Sequence, residues 1–448
     1  MPVAWWDPER GVSRRQFFED ASRVAALPLA GGAVASVLAA CGQKSETVSA
    51  LPKGLADPGT SIPQVHVDWA MAPFPDETSA AIGMKRGYFD DVGITIGPTS
   101  TGAKIDITSN PAPLLSGQVQ VGSGVIEAFI PQLDTVQEIT SFVYMGNFTG
   151  TVIMAPPGSS AKTLNDFLHE GDSFDVAIKK TMAQLKGKSV ALATDPAARF
   201  FYRTVFDLGG ISDNDIDRKD LSSTNIVNLA LAGKVDFPAP SGGVELLTLQ
   251  AHGFKTLVSD GEIIAESHDP RRFQLAIHSG YLTTKKYYGD NYETILRAAS
   301  VEYRVMQAIN DNPSAAARDQ LPFLNAYAGF ELTQAKLIGI YKSVANIQTF
   351  DSVRTYFTDQ KSALNIYNVA NAQIKVLRQD NVLKKDHSPS ELEGAKRVWE
   401  DLRRYRDESN KLFDQSPGNK ELVRKARQQY DAFNYLDSYR FLAAATQK

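Results

Sequence analysis

The chain has 448 residues, 43% hydrophobic and 22% charged, which is the balance of a globular protein long enough for two or three cores. A formal net charge of −4 gives no basic field for nucleic acid. The single cysteine, Cys41, excludes an intramolecular disulfide or a thiolate metal cage, so packing alone must hold the fold.

Near the start, Ser13-Arg14-Arg15-Gln16-Phe17-Phe18 resembles the motif read by the twin-arginine export route. Glu19 departs from the basic residue common after it, so general secretion stays open as the route. An apolar, Ala- and Gly-rich run from Val24 ends in Leu38-Ala39-Ala40-Cys41, which reads as a lipoprotein signal. The run is shorter than the roughly twenty residues of a membrane span and holds Pro28, Gly31 and Gly32. Residues 1–40 are therefore expected as a signal peptide. A lipid on Cys41 would hold the mature protein to the cell membrane on its periplasmic side. Residues 41–63, rich in Ser, Thr, Pro, Gly and Ala, read as a flexible spacer.

From Val65 apolar runs alternate with helical segments. Strands are expected at 65–69, 94–96, 119–121, 141–144 and 151–155, with helices at 77–86, ending at 115, and at 125–133. A second series places strands at 189–192, 216–221, 235–237 and 255–258 between helices at 197–208, 225–232 and 244–252. The alternation argues for an α/β fold with largely parallel strands. A short pattern recurs, Leu114-Leu115-Ser116-Gly117-Gln118-Val119-Gln120 against Ala230-Leu231-Ala232-Gly233-Lys234-Val235-Asp236. In both a helix is expected to end at a Gly that can adopt a left-handed conformation, with a strand two residues later, which implies two similar lobes.

Beyond 273–277 the chain is mostly helical. Ile295, Ala299, Tyr303, Met306 and Ile309 share one helix face, and Asn312-Pro313 ends it. Ser388-Pro389-Ser390-Glu391 reads as a capping box opening a helix with the stripe Leu392, Ala395, Trp399 and Leu402. Leu422, Ala426, Tyr430, Phe433 and Leu436 form the next stripe, and the charged run 396–408 reads as a solvated face.

Four segments in register carry a resemblance: Gly83-Met84-Lys85-Arg86-Gly87-Tyr88-Phe89-Asp90-Asp91-Val92-Gly93-Ile94, Leu115-Ser116-Gly117-Gln118-Val119-Gln120-Val121-Gly122, Leu185-Lys186-Gly187-Lys188-Ser189-Val190-Ala191, and Leu231-Ala232-Gly233-Lys234-Val235-Asp236. Over about residues 64–345 the chain resembles the extracytoplasmic substrate-binding proteins of ABC importers, of the nitrate, sulfonate and taurine type. The resemblance implies a two-lobe periplasmic-binding-protein (type 2) fold with mixed sheets. Lobe 1 would comprise 64–155 and 263–350, lobe 2 would comprise 156–262, and 351–448 would be a C-terminal helical extension. Residues 168–184 look like an insertion.

Ligands of such sheets sit beyond the carboxyl ends of strands, near helix N-termini. Trp69 and Phe74 follow the first strand, between stiffening prolines, and Ser100 and Thr101 follow the second beside Gly102. Ser123 and Gly124 follow the third, where a helix start would offer free N–H groups to an anion. In lobe 2, Thr194, Asp195 and Ala197 open a helix at a position matching a ligand-contacting loop of the family. Arg199 is the cation placed for a carboxylate or sulfonate. Ser241, in Pro238-Ala239-Pro240-Ser241-Gly242-Gly243, stands where the family commonly has an aromatic and a Pro. Each has a plainer reading: Trp69 as core, Asp195 before Pro196 as a helix cap, Arg199 as a surface residue.

Six histidines show no paired metal spacing, and neither a Gly-x-Ser-x-Gly nucleophile nor a Walker loop is present. The related pyrimidine synthases of thiamine biosynthesis rely on a cysteine-rich motif that this chain lacks. The expectation is a lipid-anchored receptor without enzymatic activity or cofactor. It would capture a small anion or a sulfonate-, nitrate- or carboxylate-like solute and deliver it to an ABC permease and its ATPase subunits. A thiamine-pyrimidine-precursor binding protein of the same fold, a sensor or adaptor using the helical tail, and a secreted enzyme are the alternatives.

Overall fold

The computed structural model describes residues 51–72, 74–104, 111–195, 197–328 and 332–447; Cys41, the twin-arginine pair and the rest of the expected signal lie outside the described residues. The large sheet runs β2 (Ile94–Gly97), β1 (Val65–Met71), β4 (Val121–Val125), β11 (Ile277–Thr284), β5 (Ile139–Phe148), with β3 (Ala103–Lys104) also on β1. Strands β2, β3 and β4 are parallel to β1, whereas β11 is antiparallel to both β4 and β5. The small sheet is all parallel, in the order β8 (Asp217–Leu221), β7 (Ser189–Ala193), β9 (Phe237–Ala239). An antiparallel pair, β6 (Val152–Ala155) and β10 (Lys255–Ser259), joins the two.

Helices α1 (Ala80–Lys85), α2 (Tyr88–Asp91) and α3 (Ala112–Leu115) precede β4, and α4 (Leu164–His169) and α5 (Phe174–Ala183) precede β7. Helices α6 (Ala198–Gly209), α7 (Ser223–Leu231) and α8 (Gly243–Ala251) alternate with the next strands, and α9 (Asp260–Glu266) leads back to β11. The remainder is α10 (Lys285–Asp290), α11 (Tyr292–Asp311), α12 (Pro313–Ala328), α13 (Gln334–Ser343), α14 (Arg354–Thr358), α15 (Ile366–Gln379), α16 (Ala395–Asp414), α17 (Lys420–Asp431) and α18 (Tyr435–Thr446).

The recurrent pattern has the same geometry in both sheets. Gly117 and Gly233 have φ of +74° and +67°, a conformation that glycine adopts without penalty. Three residues on, Gln120 and Asp236 each clasp the strand beside them. Gln120 donates its N–H to Asp68 O (2.9 Å) and accepts Asp68 N–H on its side chain (2.8 Å). Asp236 does the same with Ser189 O (3.1 Å) and Ser189 N–H (2.8 Å). The strands then start at Val121 and Phe237, four residues after each Gly rather than the expected two.

In the large sheet the core centres on Trp69, which is fully buried with its indole edge-on to Phe89 at 5.0 Å and Tyr281 at 4.8 Å. At the joint, Asp260 N–H donates to Thr151 O (3.1 Å), and the Asp260 carboxyl accepts from Thr151 N–H (3.3 Å) and Gly261 N–H (2.7 Å). Complete burial pushes that carboxyl up to about 8.

Several expectations are corrected. The helix expected over 77–86 starts at Ala80, because Glu77, Thr78 and Ser79 are committed to tertiary hydrogen bonds. The helix expected over 125–133 is a 3₁₀ segment, Ile126–Gln132, interrupted by Pro131. The Ser388–Glu391 capping box forms, yet it caps a 3₁₀ turn, and α16 starts at Ala395. Residues 392–394 instead join β5, with Ser141 N–H bonded to Leu392 O (2.9 Å) and Gly394 N–H to Ser141 O (3.1 Å).

The described part of the expected flexible spacer, 51–63, lies fastened on the C-terminal helices. Arg397 donates to Pro52 O (2.8 Å), Arg404 to Gly54 O (3.0 Å), and Arg440 to Asp57 O (3.3 Å). Part of the charged run read as solvated thus holds backbone carbonyls. The tail is equally tied inward. Arg297 of α11 makes a buried bidentate pair with Asp437 of α18 (2.7 and 3.0 Å), and Trp399 Nε1–H donates to Phe350 O (2.8 Å). Among the described residues, the exposed large apolar side chains are Leu55, Phe74, Leu115, Val176 and Leu231, all outside 351–448. No helix among the described residues is long and apolar enough to cross a membrane.

Candidate functional site

At the end of β1, Ala72 N–H donates to Ser123 Oγ (2.8 Å) on β4, and Ser123 Oγ–H in turn donates to Glu77 Oε2 (3.3 Å). Ser279 Oγ–H on β11 donates to Asp76. Tyr281 Oη accepts from Ala80 N–H (3.2 Å) and donates to Glu77 O (3.3 Å). Asp76, Glu77, Thr78, Ser79 and Ser123 are all buried, whereas Phe74 is 48% exposed. Burial pushes the Asp76 carboxyl up, against the Ser279 hydrogen bond that lowers it.

Ser123 and Gly124 do not open a helix. They lie inside β4, where β11 pairs Gly280 with Gly124 and Tyr281 with Ser123, so the expected dipole site is absent at this strand end. Ser100 and Thr101 are exposed in a turn that Thr99 Oγ1–H closes on Gly102 O (2.7 Å). Gly102 (φ +72°) is required by the chain itself, since a Cβ there would meet Trp69 O at 2.6 Å. Trp69 is in the core.

The small sheet brings its predicted residues together. Asp195 Oδ1 accepts from Ala197 N–H (2.9 Å) just before α6, and Oδ2 accepts from Ser241 Oγ–H (3.3 Å) at the end of β9. Ser241 N–H donates to Ser223 Oγ (3.1 Å) at the start of α7. Tyr202 Oη accepts from Ala193 N–H (3.2 Å) and donates to Ala239 O (2.6 Å), locking the ends of β7 and β9 together. Thr194 is exposed, while Asp195, Ala197, Arg199 and Ser241 are partly buried. Burial lowers the Arg199 pKa, opposed by the charges of Asp220 and Asp195 and reinforced by Arg218. Asp195 is not the helix cap: the N-cap residue is Ala197, without a side-chain cap, and Asp195 holds the turn before it.

No family model matches the sequence, and no curated protein matches it. Solved structures do. The chain is similar to SsuA, the periplasmic sulfonate-binding protein of a sulfonate ABC transporter from Methylobacillus flagellatus KT, at 12% identity and TM-score 0.51, over 77% of this chain and 96% of that one. The fold is that of a type 2 periplasmic binding protein. Similarity extends to the periplasmic aliphatic sulphonate binding protein SsuA from Escherichia coli (12% identity, TM-score 0.48, 73% of this chain and 91% of that one). The desulfurization enzyme DSZB is another structural neighbour, at 11% identity and TM-score 0.49, over 77% of this chain and 100% of that one.

On this scaffold, sequence reasoning missed the acidic groups of the large-sheet wall. Glu77 read as the start of a helix and Asp76 as the residue before it, and the partners Ser279 of Asp76 and Ser123 of Glu77 are about 200 and 50 residues away in sequence. It also missed Glu127 and His278. His278 Nδ1 lies 2.5 Å from Glu127 Oε1, its backbone N–H donates to Glu127 Oε2 (3.2 Å), and its Nε2–H donates to Leu364 O (2.9 Å). That dyad pins the helical tail to the sheet. Among the described residues no group of three or more His, Cys, Asp or Glu is arranged to hold a metal ion.

Proposed function

We propose that this protein is the solute-binding component of an ABC importer, held at the membrane by a lipid on Cys41 and working between two lobes that close on a small molecule. The observation that carries this reading is the pairing of two strand-end polar clusters, Ala72–Ser123–Glu77 and Asp195–Ser241–Ser223, on separate sheets joined by the β6–β10 ribbon. A solute held between the loops that carry these clusters gains contacts to both only when the lobes are together, so it shifts the population toward closure.

The charge pattern supports a narrower solute class. Arg199 and the start of α6 suit one anionic group, a sulfonate or carboxylate, whereas Asp76 and Glu77 disfavour a second negative charge nearby. A solute with one anionic end and one hydrogen-bond-donating end, such as an aminosulfonate, fits both walls. The tail supports a structural role rather than an adaptor role, because its apolar stripes pack inward. Calorimetry on a panel of taurine, alkanesulfonates, carboxylates, nitrate and thiamine precursors is expected to show binding of at least one sulfonate or carboxylate, with compaction in X-ray scattering. No binding across the panel, or turnover of any member, overturns the proposal.

A further inference from the structure

We infer that α13 is a coupling lever between the two lobes, and that Tyr341 and Gln320 are positioning residues transmitting the placement of the small-sheet lobe to the loop 74–79. The importance of that loop for solute rests on the function proposed above; the mechanical coupling does not.

The loop end of the lever is a buried hydrogen-bond chain. Gln320 on α12 is fully buried, and its Nε2 donates to Pro75 O (2.6 Å) and Thr78 Oγ1 (2.7 Å). Thr78 Oγ1–H continues the chain to Phe74 O (2.9 Å). With both amide hydrogens committed, the Gln320 carbonyl takes the hydroxyl proton of Tyr341 on α13. Every member therefore fixes the orientation of the next, and none can rotate without leaving a buried polar group unpaired.

The other side of α13 lies against α8 at a close crossing that Gly243 permits and that leaves little room beyond a Cβ at Gly339. A Cβ on Gly243 would stand 3.2 Å from Val344 Cγ1 and 3.5 Å from Ile340 Cγ1, and one on Gly339 would stand 3.7 Å from Leu247 Cδ1. Helix α8 begins two residues after Ser241, so this crossing sits directly behind the second strand-end cluster. The end of α13 is anchored at the joint. Thr149 N–H donates to Val344 O (2.8 Å), and Asn346, at φ +43°, donates its amide to Asn147 O and Thr149 Oγ1 (both 2.9 Å). A helix pinned at the joint, packed on one lobe and linked through Gln320 to a loop of the other moves when the lobes rotate. Packed interfaces shift as units rather than deform.

The test is a double-mutant cycle read by hydrogen exchange of the peptide covering residues 74–82. Gly339→Val wedges α13 away from α8 without touching the loop; it is expected to speed exchange there about tenfold while β4 stays protected. Tyr341→Phe alone is expected to raise exchange similarly, and adding Gly339→Val to it should produce no further change. Unchanged exchange in Gly339→Val, or full additivity with Tyr341→Phe, overturns the inference. Should Gly339→Val fail to fold by near-ultraviolet dichroism, Leu247→Ala removes the same contact from α8 and replaces it in the cycle. A wild-type protein that binds no solute defeats the proposed function and leaves the cycle to decide the coupling.

Discussion

The two strand-end clusters use similar residue types and reach opposite physical states. In the large sheet Ser123 and Thr78 are fully buried, and every side chain from Asp76 to Ser79 has a tertiary partner. In the small sheet Asp195 and Ser241 are partly exposed and bonded mainly to each other and to Ser223. The first wall is part of a core and is held by the rest of the molecule. The second is built from loops at strand and helix ends and is partly open to solvent.

The sharpest way to break the contrast is to remove the core beneath the first wall. Trp69→Ala is expected to cost about 3–5 kcal/mol in denaturant unfolding, the cost of a large cavity among Phe89, Phe142 and Tyr281. Next is the buried carboxyl of Glu302, which burial pushes up to about 8 from an ordinary 4.5. The folded state keeps a proton that the unfolded chain releases, so this contribution is whole below about pH 4.5 and is lost as pH rises through 8. Glu302→Gln should therefore lose less stability than wild type between pH 6 and 9 in urea melts, by on the order of 2 kcal/mol. An equal pH dependence would place the ionised carboxylate in the fold.

Smaller effects separate the walls themselves. Ser123→Ala strands Ala72 N–H in the interior and is expected to cost about 1–2 kcal/mol, read as a lower melting temperature. Ser241→Ala loses a half-buried hydroxyl, costing about 0.5 kcal/mol, yet it should weaken solute binding about tenfold by calorimetry. If Ser241→Ala destabilises as much as Ser123→Ala, the two walls do not differ in the way described.

Much of the architecture was legible because it is written locally. The period of apolar residues gave both strand series. The Gly117 and Gly233 motif gave a repeat whose Gln120 and Asp236 clasps match bond for bond. Local reading failed where a distant segment competed for the same backbone. The Ser388 capping box lost its helix to pairing with Ser141, and the spacer lost its freedom to Arg397, Arg404 and Arg440. The candidate site divides the same way. Asp195 and Ala197 bond locally as neighbours in one turn, whereas the Asp195–Ser241 bond spans 46 residues. Trp69 belongs to the core, and Asp76, Glu77 and Glu127 escaped notice.

By itself the sequence determined the α/β class, most strands and helices of the two series and the Gly117 and Gly233 repeat, since periodicity, glycine φ and capping act over a few residues, but not β11, which lies where mostly helix was expected. Tertiary structure alone decided which cluster would be buried, where the buried carboxyls would lie, and that α13 would pack on α8 while bonding to Gln320. Those outcomes depend on burial and on partners far apart in the chain, such as Ser279 with Asp76 or Tyr341 with Gln320 near the Pro75 loop, and no local pattern encodes them.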